Sequence, residues 1–388
     1  MKKVGWQSIS PIYADIMISP WNLLVGGLLI KFLPTTQAFL SIIIGYVILS
    51  GLFIFYGGLG FKEKKQSAWI INEIFGSKIT KYLVPSILAI GQIGWASINI
   101  ELGGKSLAYV FSSPIFIGVA VYAIFLVVMG ILDLYKMGIV KLLITISSVT
   151  LLGYVFVSKI SQVSLTNFFL HKPIDQQSLL WGVSIIVASL ISFTTVTPDF
   201  FQSVKSKKDV VISTLLGLFV PGVLTALLGC FLFFDKGNFN LIALLSALTF
   251  PIFPHILNAS TNTDGSIAIY TPGLKLQNMF GINLKTGIII AGLASFTLAL
   301  FQVSSHLEVW LKILSLLFPT LIGLVLTKFV LQKQSEINEF NRMALLIYVI
   351  STVISIGLTK LFPPVLISLF LPFVLYKSFR FIFLARTK

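Results

Sequence analysis

The chain has 388 residues, of which 56% are apolar and only 11% charged, with a mean hydropathy of +0.97. A soluble domain carries about a quarter charged residues, so this composition excludes an ordinary soluble fold and points to a lipid-embedded one. The net charge of +15 does not indicate a nucleic-acid partner, because Lys and Arg fall between apolar runs and form no dense basic stripe.

Apolar runs predict twelve spans, near 9–32, 37–60, 83–111, 114–132, 138–157, 178–198, 210–234, 239–263, 286–303, 309–328, 342–360 and 363–384. The start, Met1-Lys2-Lys3, leads into the first span with no small-residue cleavage site, which reads as a retained helix rather than a removed signal peptide. That span is interrupted by Ser10-Pro11, Asp15 and Ser19-Pro20. Polar groups and proline at membrane depth persist only where protein, water or a ligand satisfies them, so the interruption marks a broken helix. Asp15 is expected in gating or ion coupling, or as a residue bonded within the break. Between the second and third spans, Ser67 to Lys81 mixes Trp69, Ile70, Ile71, Ile74 and Phe75 with charges. It is expected as a short amphipathic helix lying along the interface.

The third span carries Gly91-Gln92-Ile93-Gly94-Trp95 and Asn99. Trp95 and Asn99 are four apart and share a helix face, so an indole and a carboxamide meet a planar ligand from one side. Glu101 and Lys105 follow at the spacing of a helix ion pair.

The sixth span repeats the broken pattern in Ser192-Phe193-Thr194-Thr195-Val196-Thr197-Pro198-Asp199. Ser192, Phe193 and Thr194 are expected near substrate, as is Ser19 of the first break. Asp199 is expected as an end pair, cap or gate beside Lys205, Lys207 and Lys208. Matching interrupted segments in two parts of a chain are the mark of a secondary transporter.

A third polar island, Asn258 to Ser266, falls at the expected end of the eighth span, with Pro272 and Gly273 prolonging the irregularity. Ser260 and Thr261 offer hydroxyls to a hard cation, while Asp264 adds a negative group and Ser266 a polar one near the substrate.

Placing both termini in the cytoplasm divides the 28 Lys and Arg residues into 21 inside and 7 outside, as the positive-inside rule requires of an even span count. Cys230 stands alone, which excludes an intramolecular disulfide. His171, His255 and His306 lack metal-site spacing. With no nucleophile paired to a base and no Walker-type phosphate loop, the expectation is a non-enzymatic carrier driven by an ion gradient.

Taken together, Gly91 to Trp95 with Asn99, Thr197 to Gln202 with Ser206 to Asp209, and Ser260 to Thr263 with Tyr270 to Leu274 resemble the nucleobase:cation symporter-1 family, cytosine and purine permeases in particular. The resemblance implies an all-α, LeuT-like membrane fold. Its two inverted five-helix repeats would lie at 9–157 and 178–328, with two further helices at 342–384, all in one domain over 1–388. It implies a multi-pass cell-membrane importer of a small planar heterocycle, stacked on Trp95 and bonded by Asn99. No cofactor is implied beyond a coupling cation, sodium or a proton, with Ser260 and Thr261 as sodium ligands. An aromatic expected on the sixth span falls nearest Leu190, with Phe193 as its neighbour. The chain is expected to work as a monomer in the lipid bilayer, with no nucleic acid bound. The alternatives are an amino-acid or polyamine carrier of the same fold and a nontransporting membrane receptor or scaffold.

Overall fold

The computed structural model describes residues 3–132, 138–160, 163–234, 240–331, 337–358 and 364–386. Helices account for nearly all of them, and among the described residues the only β pairing is an isolated parallel bridge between Val4 and Val204.

The first span is two helices, α1 (Trp6–Met17) and α2 (Pro20–Phe32), bent by 52°. Pro20 occupies the first turn of α2, where its missing N–H costs nothing, and the chain turns at Ile18 and Ser19. Asn22 holds the break. Its side-chain nitrogen donates to Met17 O at 3.0 Å and to Gly222 O at 3.1 Å, and its oxygen accepts from Tyr46 Oη at 3.0 Å. Asn22→Ala strands two buried carbonyls and a buried hydroxyl, each costing about 1–3 kcal/mol unpaired. We expect a clearly lowered Tm in detergent; a wild-type Tm would show that the break holds itself.

Next come α3 (Thr35–Glu63), α4 (Ser67–Phe75), α5 (Ser77–Val110), α6 (Ile115–Ile131), α7 (Gly138–Ile160) and the short α8 (Leu165–Phe169). The expected interfacial helix is corrected in two respects. It stops at Gly76 with φ of 75°, so Lys81 belongs to α5. Its apolar face, Ile70, Ile71, Ile74 and Phe75, is buried against protein, with Phe75 edge-on to Tyr348 at 6.3 Å. Amphipathic patterning alone does not separate a lipid surface from a protein one.

The sixth span is likewise double: α9 (Leu179–Thr194), then α10 (Thr197–Phe201) after a turn at Thr195 and Val196. Hydroxyls take up the carbonyls released there, Thr195 donating to Ser192 O at 2.7 Å and Thr197 to Phe193 O at 3.2 Å. Then follow α11 (Lys207–Thr214), a π-helical turn at Leu215–Phe219, α12 (Val220–Phe233) and the short α13 (Leu241–Ser246).

The expected span at 239–263 is overturned. In its place α14 (Ile252–Thr261) leads through a 3-10 turn at Asn262–Asp264 into α15 (Gly265–Phe280), so the polar island lies within the eighth helix instead of at its end. The helix continues because its polar side chains bond backward: Thr261 to Asn258 O, Thr263 to Ser260 O and Ser266 to Thr263 O, at 2.8–2.9 Å. Pro272 and Gly273, expected in a turn, lie inside α15. The chain ends with α16 (Leu284–Leu300), α17 (Leu307–Leu331), α18 (Ile337–Gly357) and α19 (Pro364–Arg386).

Among the described residues, five helices are long and apolar enough to cross a membrane, and the bent α1–α2 pair passes as a sixth; five shorter apolar helices accompany them. They pack in two groups. One contains α1 to α3 with α9 to α12, where α2 crosses α12 and α3 packs on α9. The other contains α5, α6, α14, α15 and α16, around a separate core that includes Ala96, Val119, Leu126, Ile269 and Ile288. The first group is also tied at one end by the chain start: Val4 N donates to Ser203 O, Lys205 N to Val4 O, and Trp6 N to Asp209 Oδ1, each at 3.0 Å.

Candidate functional site

Between the two groups lies a small cavity of about 50 Å³. The first group supplies Ile16 of α1, Trp21 of α2, and Ser189, Leu190 and Phe193 of α9. From the second come Gln92, Trp95 and Asn99 of α5, with Ile267 and Ala268 of α15. The broken first helix, the sixth helix just before its break and the helix that follows the 3-10 turn therefore all reach one point.

On α5, residues 92, 95 and 99 recur at helical spacing, so two carboxamides flank an indole on one face. The Asn99 Oδ1 is buried without a partner among the described residues. Gly265 makes this fit possible, since a Cβ there would lie 2.8 Å from Asn99 Cβ. The Trp21 ring sits 4.9 Å from Trp95 at 49°, backing it from α2. Water occupies about 30 Å³ in the liquid, so the cavity has room for one or two waters, and a flat heterocycle enters only if the walls part. No charged side chain lines it among the described residues.

Of the substrate residues expected from sequence, Trp95, Asn99 and Phe193 line this cavity, and Ser192, Thr194, Ser19 and Ser266 do not. The hydroxyls of Ser192 and Ser19 are buried without partners among the described residues, and those of Thr194 and Ser266 bond back to Leu190 O and Thr263 O. Leu190 and Phe193 both reach the wall, so the sixth helix presents an aliphatic and an aromatic side chain together. Gln92 and Trp21 went unrecognised. Gln92 was discoverable from its three-residue spacing to Trp95; Trp21 looked like any apolar residue.

The expected cation residues sit farther along the same helices. Ser260 Oγ accepts from Ser147 of α7 at 2.9 Å, and Thr261 is buried with its hydroxyl turned to its own helix. Asp15 is buried and accepts a hydrogen bond from Thr145 of α7. Ser260 and Asp15 are thus both bonded to α7, while the Thr261 hydroxyl is bonded within α14. Among the described residues no three His, Cys, Asp or Glu side chains group as a metal site. Asp199 caps α4, receiving Ser67 N at 2.6 Å and Ser67 Oγ at 2.9 Å, and so links α10 to the helix preceding α5. The Asp264 side chain lies outside the described residues. Glu101 is fully buried, takes Lys105 at 2.6 Å as expected, and also accepts from Ser304 N and Oγ.

No family model matches the chain. The cytosine permeases of Escherichia coli O157:H7 and K12 are 23% identical to it over 314 residues, 80% of this chain and 74% of theirs. In fold it is similar to Mhp1, described as a nucleobase-cation-symport-1 family transporter. The closed form with bromovinylhydantoin bound gives a TM-score of 0.79 at 16% identity, covering 98% of this chain and 93% of that one. The inward-facing form gives 0.84 at 16%, covering 100% and 92%. The chain thus shares the fold of Mhp1 and is similar in sequence to cytosine permeases. It is a multi-pass membrane protein with the LeuT-like helical fold, and its relatives are permeases, not enzymes. A sodium-coupled sialic acid symporter is similar more distantly, with a TM-score of 0.68 at 14% identity over 96% of this chain and 88% of that one.

Proposed function

We propose that the chain is a secondary importer of an uncharged planar heterocycle, a nucleobase such as cytosine or a purine, driven by a cation gradient. One observation carries this reading: an indole flanked by two carboxamides on one face of α5, one carboxamide oxygen buried and, among the described residues, unpaired, in a cavity where the broken helices meet and which no described charged side chain lines. The ring stacks on Trp95, while Gln92 and Asn99 bond its edge. Phe193 closes over it, with Trp21 backing Trp95. The names of the relatives support the substrate class, since cytosine and a hydantoin are both small flat nitrogen rings.

In this reading twelve spans cross the bilayer with both termini in the cytoplasm, as two five-helix repeats and two further helices in a single monomer. The two packed groups rock around the cavity, and sodium or a proton drives the cycle by preferring the conformation that also prefers substrate. Ser260 and Thr261 supply sodium ligands, and the Asp199 cap on α4 closes the cytoplasmic end. An amino-acid or polyamine carrier needs groups matching ammonium or carboxylate, and the uncharged lining favours the neutral ring instead.

Sealed vesicles given labelled cytosine, uracil, adenine, hypoxanthine, hydantoin and leucine, with sodium and proton gradients imposed separately, provide the test. At least one heterocycle should accumulate above equilibrium under one gradient. Leucine uptake with every heterocycle excluded would reject the substrate class, and saturable binding with no flux under either gradient would favour a receptor.

A further inference from the structure

The start of the chain and the end of α3 meet in a recess that shares no residue with the cavity between the two packed groups. It holds about 240 Å³ and is lined by Lys3, Lys64, Gln202, Ser203 and Val204, so three stretches far apart in sequence converge there. Among the described residues no carboxylate lines it, and neither Lys3 nor Lys64 has an acidic partner. The acids nearest to them in the surrounding segments are engaged. Glu63 pairs with Lys62 at 3.5 Å, and Asp209 accepts from Trp6 N at 3.0 Å and from Ser206 Oγ at 2.6 Å. Two ammonium groups lining one small recess repel each other, and an anion between them turns that repulsion into attraction.

Lys64 is held in place rather than loosely displayed. It ends α3 at φ of 54°, a left-handed position that favours glycine because a Cβ is strained there, and its ammonium lies 4.0 Å from the centroid of the Phe61 ring. The depth of the recess identifies the kind of anion. The 29 residues of α3 run about 43 Å at 1.5 Å each, the thickness of a bilayer with its headgroups, so the helix end at Glu63 stands among headgroups. With space for about eight waters, the recess takes a phosphodiester and not merely a bare ion. Val4, next to Lys3, donates to Ser203 O and accepts from Lys205 N, so whatever fills the recess lies against the tie between the chain start and the segment leading into α11.

We propose that this recess binds the headgroup phosphate of an anionic phospholipid, with Lys3 and Lys64 as its cationic walls, and that the lipid fastens the tie at Val4. The assignment goes beyond the transport reading and does not depend on what the chain carries.

The purified full chain in an uncharged detergent is titrated with phosphatidylglycerol, or with phosphatidylcholine for comparison, at matched ionic strength. Its thermal unfolding midpoint is followed, since a ligand that binds only the folded state raises it. Phosphatidylglycerol should give the wild type a saturating rise that phosphatidylcholine does not. Lys3→Gln and Lys64→Gln should each need about fivefold more phosphatidylglycerol for the same rise, the effect of one lysine at an anionic membrane surface. Both side chains are exposed, so neither change disturbs the core. Lys64→Arg, which keeps the charge, and Lys285→Gln, exposed at the start of α16, should respond as the wild type does. Equal responses to the two lipids overturn the proposal. So does a Lys285→Gln shift as large as that of Lys64→Gln, because the attraction would then be spread over the whole basic face. Inorganic phosphate producing the same saturating rise also overturns it, since the occupant would be a free anion and not a lipid.

Discussion

Gly26→Val is expected to abolish the folded protein. A Cβ at Gly26 would stand 1.9 Å from Ala226 O and 3.0 Å from Cys230 N, and both obstacles are backbone of α12, which cannot rotate aside. The closeness is mutual, because a Cβ on Gly229 would lie 2.2 Å from Leu23 O. Small residues let membrane helices meet backbone to backbone, and lipid offers no hydrophobic force to restore a contact once it is pried open. At the same crossing Cys230 Sγ donates to Gly26 O at 3.2 Å, and Asn22 reaches Gly222 O. Forcing the helices apart therefore breaks hydrogen bonds as well as packing. Overpacking alone costs about 1–3 kcal/mol where side chains can yield, and more where they cannot. Size-exclusion profiles and Tm in detergent provide the check, with Gly51→Val, which meets nothing within 4 Å, as the control. A monodisperse Gly26→Val protein with the wild-type midpoint would show that α2 and α12 do not need this approach.

Trp95→Ala should weaken heterocycle binding by about 1–3 kcal/mol, roughly 5- to 150-fold in Kd, the value of one base stacked on an aromatic ring. The small cavity strengthens the case: with room for only one or two waters, it admits a ligand only as rings move, so the binding surface is the rings themselves. Trp95→Phe should recover part of the loss, because a flat face survives without the full indole area. Equilibrium binding of labelled cytosine or adenine to purified variants, with Tm as a check on folding, measures this. Unchanged saturation in a folded Trp95→Ala protein would move the substrate elsewhere.

The breaks in the first and sixth helices were legible because hydrocarbon forbids what Pro20 and Pro198 do to a backbone, so each forced an interruption to be inferred. The eighth helix was misplaced for the opposite reason. Thr261, Thr263 and Ser266 look like a helix end in the sequence, yet each satisfies itself on its own helix and lets it continue. Trp95 and Asn99 were readable from their spacing, and Gln92 obeyed the same rule unnoticed. Trp21 was not readable, because nothing local distinguishes a cavity wall from a core, and its position follows only from the 52° bend that swings α2 toward α5.

The short bridge at Val4 joins the start of α1 to the segment between α10 and α11, beyond the far ends of the two interrupted helices. Neither of those half-helices is a free lever. To move one against the other, the chain would have to break the Val4 N–Ser203 O and Lys205 N–Val4 O hydrogen bonds that tie them.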